Sequence, residues 1–152
     1  LLLAVGYREK NLRNINNEAD TDHGTFQISE VYHLDFLITE VGCKEGSFTP
    51  TPGSSAAWDG YCPRYTPACE YACRTLHNNR EFARFIGLTG VPALRFAIAA
   101  YNAGVGGARK GHNEGNVDKY TTGGDYSAYV LATRTEVNRW LGKHPGWVYS
   151  GT

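Results

Sequence analysis

The 152-residue chain contains no methionine, no excess of either charge, no internal repeat and no long apolar run. Each absence narrows what the protein can be. Fifteen Lys and Arg balance fifteen Asp and Glu, so nothing points to nucleic acid or to an anionic membrane as a partner. No stretch approaches the ~18 apolar residues of a transmembrane helix, and membrane insertion is not expected. Leu1–Val5 is too short for a signal-peptide core and carries no cleavage pattern. Gly106, Gly107 and Gly111 are not followed by Gly-Lys-Ser/Thr, which excludes a phosphate-cradling loop. A chain of this length is expected to form one domain, residues 1–152, with a real core. The missing methionine, and a start inside an apolar helix, suggest a processed or cropped part of something longer.

What is present begins with a carboxylate in an unexpected place. On a helix over Leu1–Leu12, Leu2, Val5 and Leu12 share one stripe, and Glu9 lies inside it. Desolvation would raise the pKa of such a carboxyl, as a general acid near neutral pH requires. The alternative is a rotated helix in which Glu9 pairs with Arg8 or Arg13 at the rim. Asn14, Asn16, Asn17, Asp20 and Asp22 then form a turn-prone tract that ends at Gly24. Asp22 follows Glu9 by thirteen residues across a loop that can fold back, in wetter surroundings. Two carboxyls in opposed environments form the pattern behind glycosidic bond cleavage.

The rest of the chain reads as mainly helical, with strands minor. Ser29 is placed to cap a helix carrying Val31, Leu34, Ile38 and Val41 inward and closing at Gly42, with His33 on a solvated face. Residues 42–67, rich in Pro and Gly, form an irregular insertion. Trp58, Tyr61 and Tyr65 there either cover the core or offer flat faces to sugar rings. Four cysteines, Cys43, Cys62, Cys69 and Cys73, suggest two disulfides and an oxidising compartment. Of three connectivities, Cys43–Cys73 with Cys62–Cys69 is favoured, because Cys69 and Cys73 lie one helical turn apart and would strain to pair. The competing arrangement is a metal site from Cys62, Cys69, Cys73 and His77, though the spacing matches no common zinc motif; no metal and no cofactor is expected.

Thr66-Pro67 opens a third helix to about His77, and Asn79 caps a short one with Phe82, Phe85 and Ile86 inward. Ala93–Ala103 is apolar on nearly every side, which marks a central buried helix, and it stops at Gly104. Residues 104–124 read as a mobile loop bearing Arg109, Lys110 and His112. Asp125 caps the last helix, whose inner face holds Tyr126, Tyr129, Val130, Thr133, Val137, Trp140 and Leu141.

Several motifs carry a resemblance. Asp22-His23-Gly24-Thr25-Phe26-Gln27-Ile28-Ser29 resembles the stretch holding the second carboxylate of lysozymes, and Glu9 on its helix resembles the catalytic Glu of the lysozyme and lytic transglycosylase superfamily. Ala100-Tyr101-Asn102-Ala103-Gly104 resembles the Tyr-Asn-Ala-Gly motif of lytic transglycosylases and goose-type lysozymes, and Gly124–Val130 the start of their following helix. The four motifs keep the family's order across residues 9–130. The resemblance implies a lysozyme-like α+β fold, a small or vestigial β region and missing N-terminal helices. It also implies a secreted or periplasmic monomer that cuts the β-1,4 bond between N-acetylmuramic acid and N-acetylglucosamine in peptidoglycan, or a chitin-type oligosaccharide. Glu9 would be the acid and Asp22 the stabiliser of the cation or of the attacking water, with Gln27, Tyr101, Asn102 and Tyr126 lining the cleft. Lys10 stands where the family has Ser, and Ser29 where goose-type enzymes often have Asp. The even charge balance also departs from the basic character of many lysozymes. A non-catalytic glycan-binding module and an anhydro-forming transglycosylase are the alternatives.

Overall fold

A computed structural model of the chain describes residues 1–12, 22–41 and 65–143, apart from the side chains of His23, Glu30 and Tyr65. The described residues are mainly helical and fall into two compact units that divide between Leu76 and His77. The expected 42–67 insertion, with Cys43, Cys62, Trp58 and Tyr61, lies outside them up to residue 64.

The first unit opens with α1, Leu2–Lys10, whose buried residues are Ala4, Val5 and Gly6. The helix ends sooner than the apolar stripe suggested. Asn11 and Leu12 take left-handed φ values of 51° and 60°, and the Leu12 amide donates back to the Gly6 carbonyl at 3.1 Å. Leu12 therefore leaves the stripe and is exposed. Two short strands follow, β1 (Asp22–His23) and β2 (Ile28–Ser29), paired antiparallel with Asp22 opposite Ser29. The turn between them buries Thr25 and Phe26. Gly6 explains how α1 meets this hairpin: a Cβ there would stand 2.8 Å from Thr25 Cγ2 and 3.3 Å from Phe26 Cε1. Only a residue without a side chain allows that approach.

Helix α2 (Glu30–Phe36) departs from the expected phase. Ser29 makes no side-chain cap bond, and His33 breaks the helix at φ −137° and ψ 27°. A π-helical turn, Leu37–Val41, continues the chain with Leu37 and Val41 buried. The kink and the wider winding rotate the inner face, so Val31 is 70% exposed rather than in the core.

Helix α3 runs unbroken over Tyr65–Phe85, where two helices separated at Asn79 were expected. Asn79 is buried inside it, and its Nδ2 donates to the Ala97 carbonyl at 3.3 Å. An amide that reads locally as a cap is satisfied by a tertiary acceptor instead. Phe85, expected inward, is exposed.

In the second unit, α4 spans Gly90–Asn113 and breaks at Gly104, where φ 69° and ψ 163° are open to glycine. Phe96 to Ala100 are all buried, as a helix without a polar face requires. Ala83, Ala93, Phe96, Ala99, Ala100 and Ala108 form the core, and Phe82 stacks on Phe96 with ring centroids 5.9 Å apart. The expected loop after Gly104 is helical as far as Asn113. Two of its glycines serve close contact: a Cβ on Gly107 would stand 3.0 Å from Ala103 Cβ, and one on Gly111 2.5 Å from the Asn116 carbonyl. Helix α5 covers Tyr126–Lys143 with Tyr126, Ser127 and Val130 buried. Tyr129 and Trp140, expected inward, are exposed.

Candidate functional site

Glu9 lies on the last turn of α1, one turn after the fully buried Val5, and is half-buried, as are its neighbours Arg8 and Lys10. Its helix is the one that Gly6 packs on the Thr25–Phe26 turn, and β1 before that turn carries Asp22. The first unit thus joins the two carboxylate-bearing elements through one close contact. Asp22 is also half-buried, so burial does not set the two carboxyls apart as the sequence suggested. Gln27 closes the hairpin turn. Its φ is 48°, its amide N–H donates to the Gly24 carbonyl at 3.2 Å, and its Nε2 donates to the same oxygen at 2.7 Å. The turn beneath Glu9's helix is therefore fixed by Gln27, with Gly24 at φ 73° completing it.

The remaining candidates lie in the second unit. Tyr101 and Asn102 occupy the last turn of α4 before its break at Gly104, both half-buried. Asn102 Oδ1 accepts the Thr122 amide N–H at 2.8 Å. Tyr126 is 2% exposed at the start of α5, and its amide N–H lies 3.4 Å from Thr121 Oγ1. With its ring enclosed, Tyr126 is a core aromatic as much as a lining residue.

The sequence reading missed the network that holds these last two in place. Asp118 is 1% exposed. Its Oδ1 accepts the Ser127 amide at 2.7 Å, and its Oδ2 accepts Ser127 Oγ at 2.7 Å and Arg95 Nη2 at 2.9 Å. Arg95 Nε also donates to Ser127 Oγ at 3.1 Å. A buried charge is tolerated when paired and fully hydrogen-bonded, and here it is both. Arg95 is the one charged residue in the apolar stretch Ala93–Ala103, and that cation was the available signal.

His33 was expected in solvent. It is half-buried, with Nε2 2.6 Å from the Tyr71 hydroxyl and the two rings edge-on at 4.8 Å. Burial lowers the His33 pKa; burial raises that of Tyr71, opposed by a hydrogen bond with Thr75. Cys69 and Cys73 are free thiols in this structure, so the expected staple is not formed at these two positions. Burial and then the neighbouring Cys73 raise the Cys69 pKa. Among the described residues no three His, Cys, Asp or Glu side chains are placed to hold a metal ion. The basic residues of the expected loop sit on the second half of α4. Lys110 Nζ lies 4.5 Å over the Tyr120 ring, whose hydroxyl donates to the Glu114 carboxylate.

Among the described residues no helix is long and apolar enough to cross a membrane. Comparison of the chain with protein-family models, curated proteins and solved structures gives no match. The class defined at this point is a mainly helical protein with a two-stranded hairpin packed on its first helix.

Proposed function

We propose that this chain has a lysozyme-like fold and cleaves the β-1,4 bond between N-acetylmuramic acid and N-acetylglucosamine in peptidoglycan. Glu9 protonates the glycosidic oxygen as the leaving group departs from an oxocarbenium-like centre. Asp22 stabilises that cation or positions the attacking water, which makes the reaction hydrolytic. Gln27, Tyr101, Asn102 and Tyr126 serve the sugar or the walls around it, and the enzyme works as a monomer outside the cytoplasm or in the periplasm.

One observation carries the reading beyond motif order. The helix bearing Glu9 packs on the hairpin bearing Asp22 through Gly6, at a distance no side chain would permit. A specific glycine at that contact supports the view that the two carboxylates belong to one working element. The half-burial of Glu9 one turn beyond Val5 fits a partly desolvated acid.

A second reading rests on Lys10. A lysine directly after Glu9, where the family it resembles has Ser, suits a glycan-binding module that no longer turns over. Clearing of bacterial walls, followed by turbidity, separates the two. The chain clears walls, and Glu9→Gln loses at least ~100-fold, the scale of general acid catalysis, while still binding glycan. Equal clearing by both proteins would overturn the acid assignment. Mass spectrometry of the products then distinguishes reducing ends, expected here, from the anhydro ends of a transglycosylase.

A further inference from the structure

We infer that Lys110, held on the ring of Tyr120 beside the last turns of α4, forms a subsite for a carboxylate of the muramyl strand. This rests on the glycan-cleaving reading and narrows its substrate from N-acetylated glycans in general to anionic ones. Residues 104–124 carry Arg109, Lys110 and Lys119 against Glu114 and Asp118. Asp118 is enclosed and paired with Arg95, so three exposed cations face one exposed carboxylate. The chain as a whole is neutral, and this excess is local.

Tyr120 packs on α4 where Gly107 leaves room: a Cβ on that glycine would stand 3.7 Å from the Cβ of the tyrosine. Two ammoniums lie against its ring, Lys110 Nζ at 4.5 Å and Lys119 Nζ at 5.7 Å from the centroid, both within the range of cation–π attraction. Glu114 serves only one of them. It accepts Lys119 Nζ at 2.6 Å and the Tyr120 hydroxyl at 2.9 Å. Those two hydrogen bonds, that of Lys119 first, hold its carboxyl below the ordinary range. Among the described residues Lys110 makes no salt bridge, and contact with Tyr120 chiefly raises its pKa. A ring attracts a cation without neutralising it. Lys110 is thus charged and positioned, with no carboxylate at salt-bridge distance.

The patch adjoins the candidate sugar residues within the same unit. Just after Tyr120, the Thr122 amide donates to Asn102 Oδ1 at 2.8 Å, and Gly107, under Tyr120, lies beyond Asn102 on α4. A glycan lying along Tyr101 and Asn102 would therefore carry its neighbouring substituents towards Tyr120. N-acetylmuramic acid differs from N-acetylglucosamine by a lactyl arm with a carboxyl group, either free or extended by a peptide that bears carboxylates of its own. An ammonium, a compact charge with three donors, suits that group. Chitin-type chains lack it, so the subsite separates two substrates that share one cleavage chemistry.

Calorimetry on the full chain carrying Glu9→Gln tests this with three tetramers. One alternates N-acetylglucosamine and N-acetylmuramic acid with free lactyl carboxyls, one is the same chain bearing peptides, and one is neutral, of N-acetylglucosamine alone. The readout is the ratio of anionic to neutral affinity. Lys110→Gln is expected to lower that ratio about two- to fivefold, the worth of an exposed ion pair, and Lys110→Arg to keep it. Glu114→Gln removes the cluster's own carboxylate and is expected to raise the ratio by a similar factor. Both changes shrink at high salt. A Lys110 effect on the peptide-free tetramer assigns the lactyl carboxyl, and one confined to the peptide-bearing tetramer assigns the peptide. An unchanged ratio in Lys110→Gln, whatever its thermal midpoint, overturns the subsite and leaves Lys110 a packing residue of α4. A chain that clears walls, but whose Glu9→Gln form shows no preference for the anionic tetramers, defeats this inference and leaves the glycan-cleaving reading standing. A chain that neither clears walls nor binds any tetramer defeats both.

Discussion

Beyond His77 the described backbone enters the left-handed region only at glycine, whereas before Leu76 it holds Asn11, Leu12 and Gln27 at φ 51°, 60° and 48°. The two units also treat buried polar groups differently. Asp118 and Ser127 are enclosed and satisfy one another and Arg95. Thr25 is equally enclosed, yet its Oγ1 has no hydrogen-bond partner. Asparagine tolerates positive φ, but leucine and glutamine there cost on the order of 1–2 kcal/mol each. One unit is a helical frame with its polar groups satisfied. The other carries the strained backbone, and it is also the unit that holds Glu9, Asp22 and Gln27. Strain survives only where the surroundings over-determine it, and it gathers at working sites.

The largest effect that tests this contrast belongs to the frame. Phe96 is fully buried among alanines and stacked on Phe82. Alanine side chains cannot extend to fill the space a ring leaves, so Phe96→Ala is expected to cost about 3–5 kcal/mol. Denaturant unfolding followed by circular dichroism measures it. A loss below about 1 kcal/mol, a small fraction of that range, would mean that this core collapses freely and that the frame is not tightly packed.

In the strained unit the matching experiment adds atoms instead of removing them. Gly6→Ala places a Cβ 2.8 Å from Thr25 Cγ2. The methyl cannot be accommodated without moving α1 off the hairpin, at about 1–3 kcal/mol. The thermal midpoint falls, and wall clearing falls further than the midpoint accounts for, since the shift separates Glu9's helix from the turn. Unchanged clearing in a destabilised protein would disconnect that contact from the chemistry.

How legible all this was from sequence differs between the units for physical reasons. The burial of α4 and its break at Gly104 followed from an apolar run meeting a glycine, both local signals. Its continuation to Asn113 did not, because Gly107 and Gly111 resemble flexible chain when their role is close approach to Ala103 and Asn116. Asn79 and Ser29 both looked like caps: Asn79 instead lies inside α3, held by the distant Ala97 carbonyl, while Ser29 does stand at the N-cap of α2 but makes no side-chain cap bond. The kink at His33 comes with a bond to Tyr71 thirty-eight residues away, so the phase of α2 could not be read from its own spacing. Of the candidate site, Glu9, Asp22, Tyr101 and Asn102 were visible as types and motifs. The Gly6 contact and the Asp118 network were not, since each depends on which segments meet.

That Tyr71–His33 bond gives the next smaller effect. In the neutral ring with its proton on Nδ1, Nε2 accepts the Tyr71 hydroxyl; protonation removes that acceptor. Burial holds the folded His33 pKa below its ordinary value near 6.5, so folding favours the neutral form. The stability it contributes is complete above about pH 6.5 and is lost as pH falls through the folded value. Tyr71→Phe is expected to cost about 0.5–1.5 kcal/mol at neutral pH and to change how stability falls on acidification, both read from denaturant midpoints between neutral and mildly acidic pH. An identical acid profile in the variant would remove His33 from the account.

The smallest effect has the opposite sign, and it bears most directly on the contrast. Thr25 presents its methyl to Gly6 and hides a hydroxyl without a partner. Thr25→Val keeps the β-branched shape that the contact needs and removes an oxygen that has lost water and gained nothing. Replacing an unsatisfied buried group by an apolar one of the same outline is neutral to stabilising, so a gain of up to about 1 kcal/mol is expected in thermal or denaturant unfolding. Because Thr25 is 2% exposed, it cannot touch a sugar, and wall clearing should persist. A loss of stability would mean that the hydroxyl is satisfied in solution, and the first unit would then carry its strain in backbone alone.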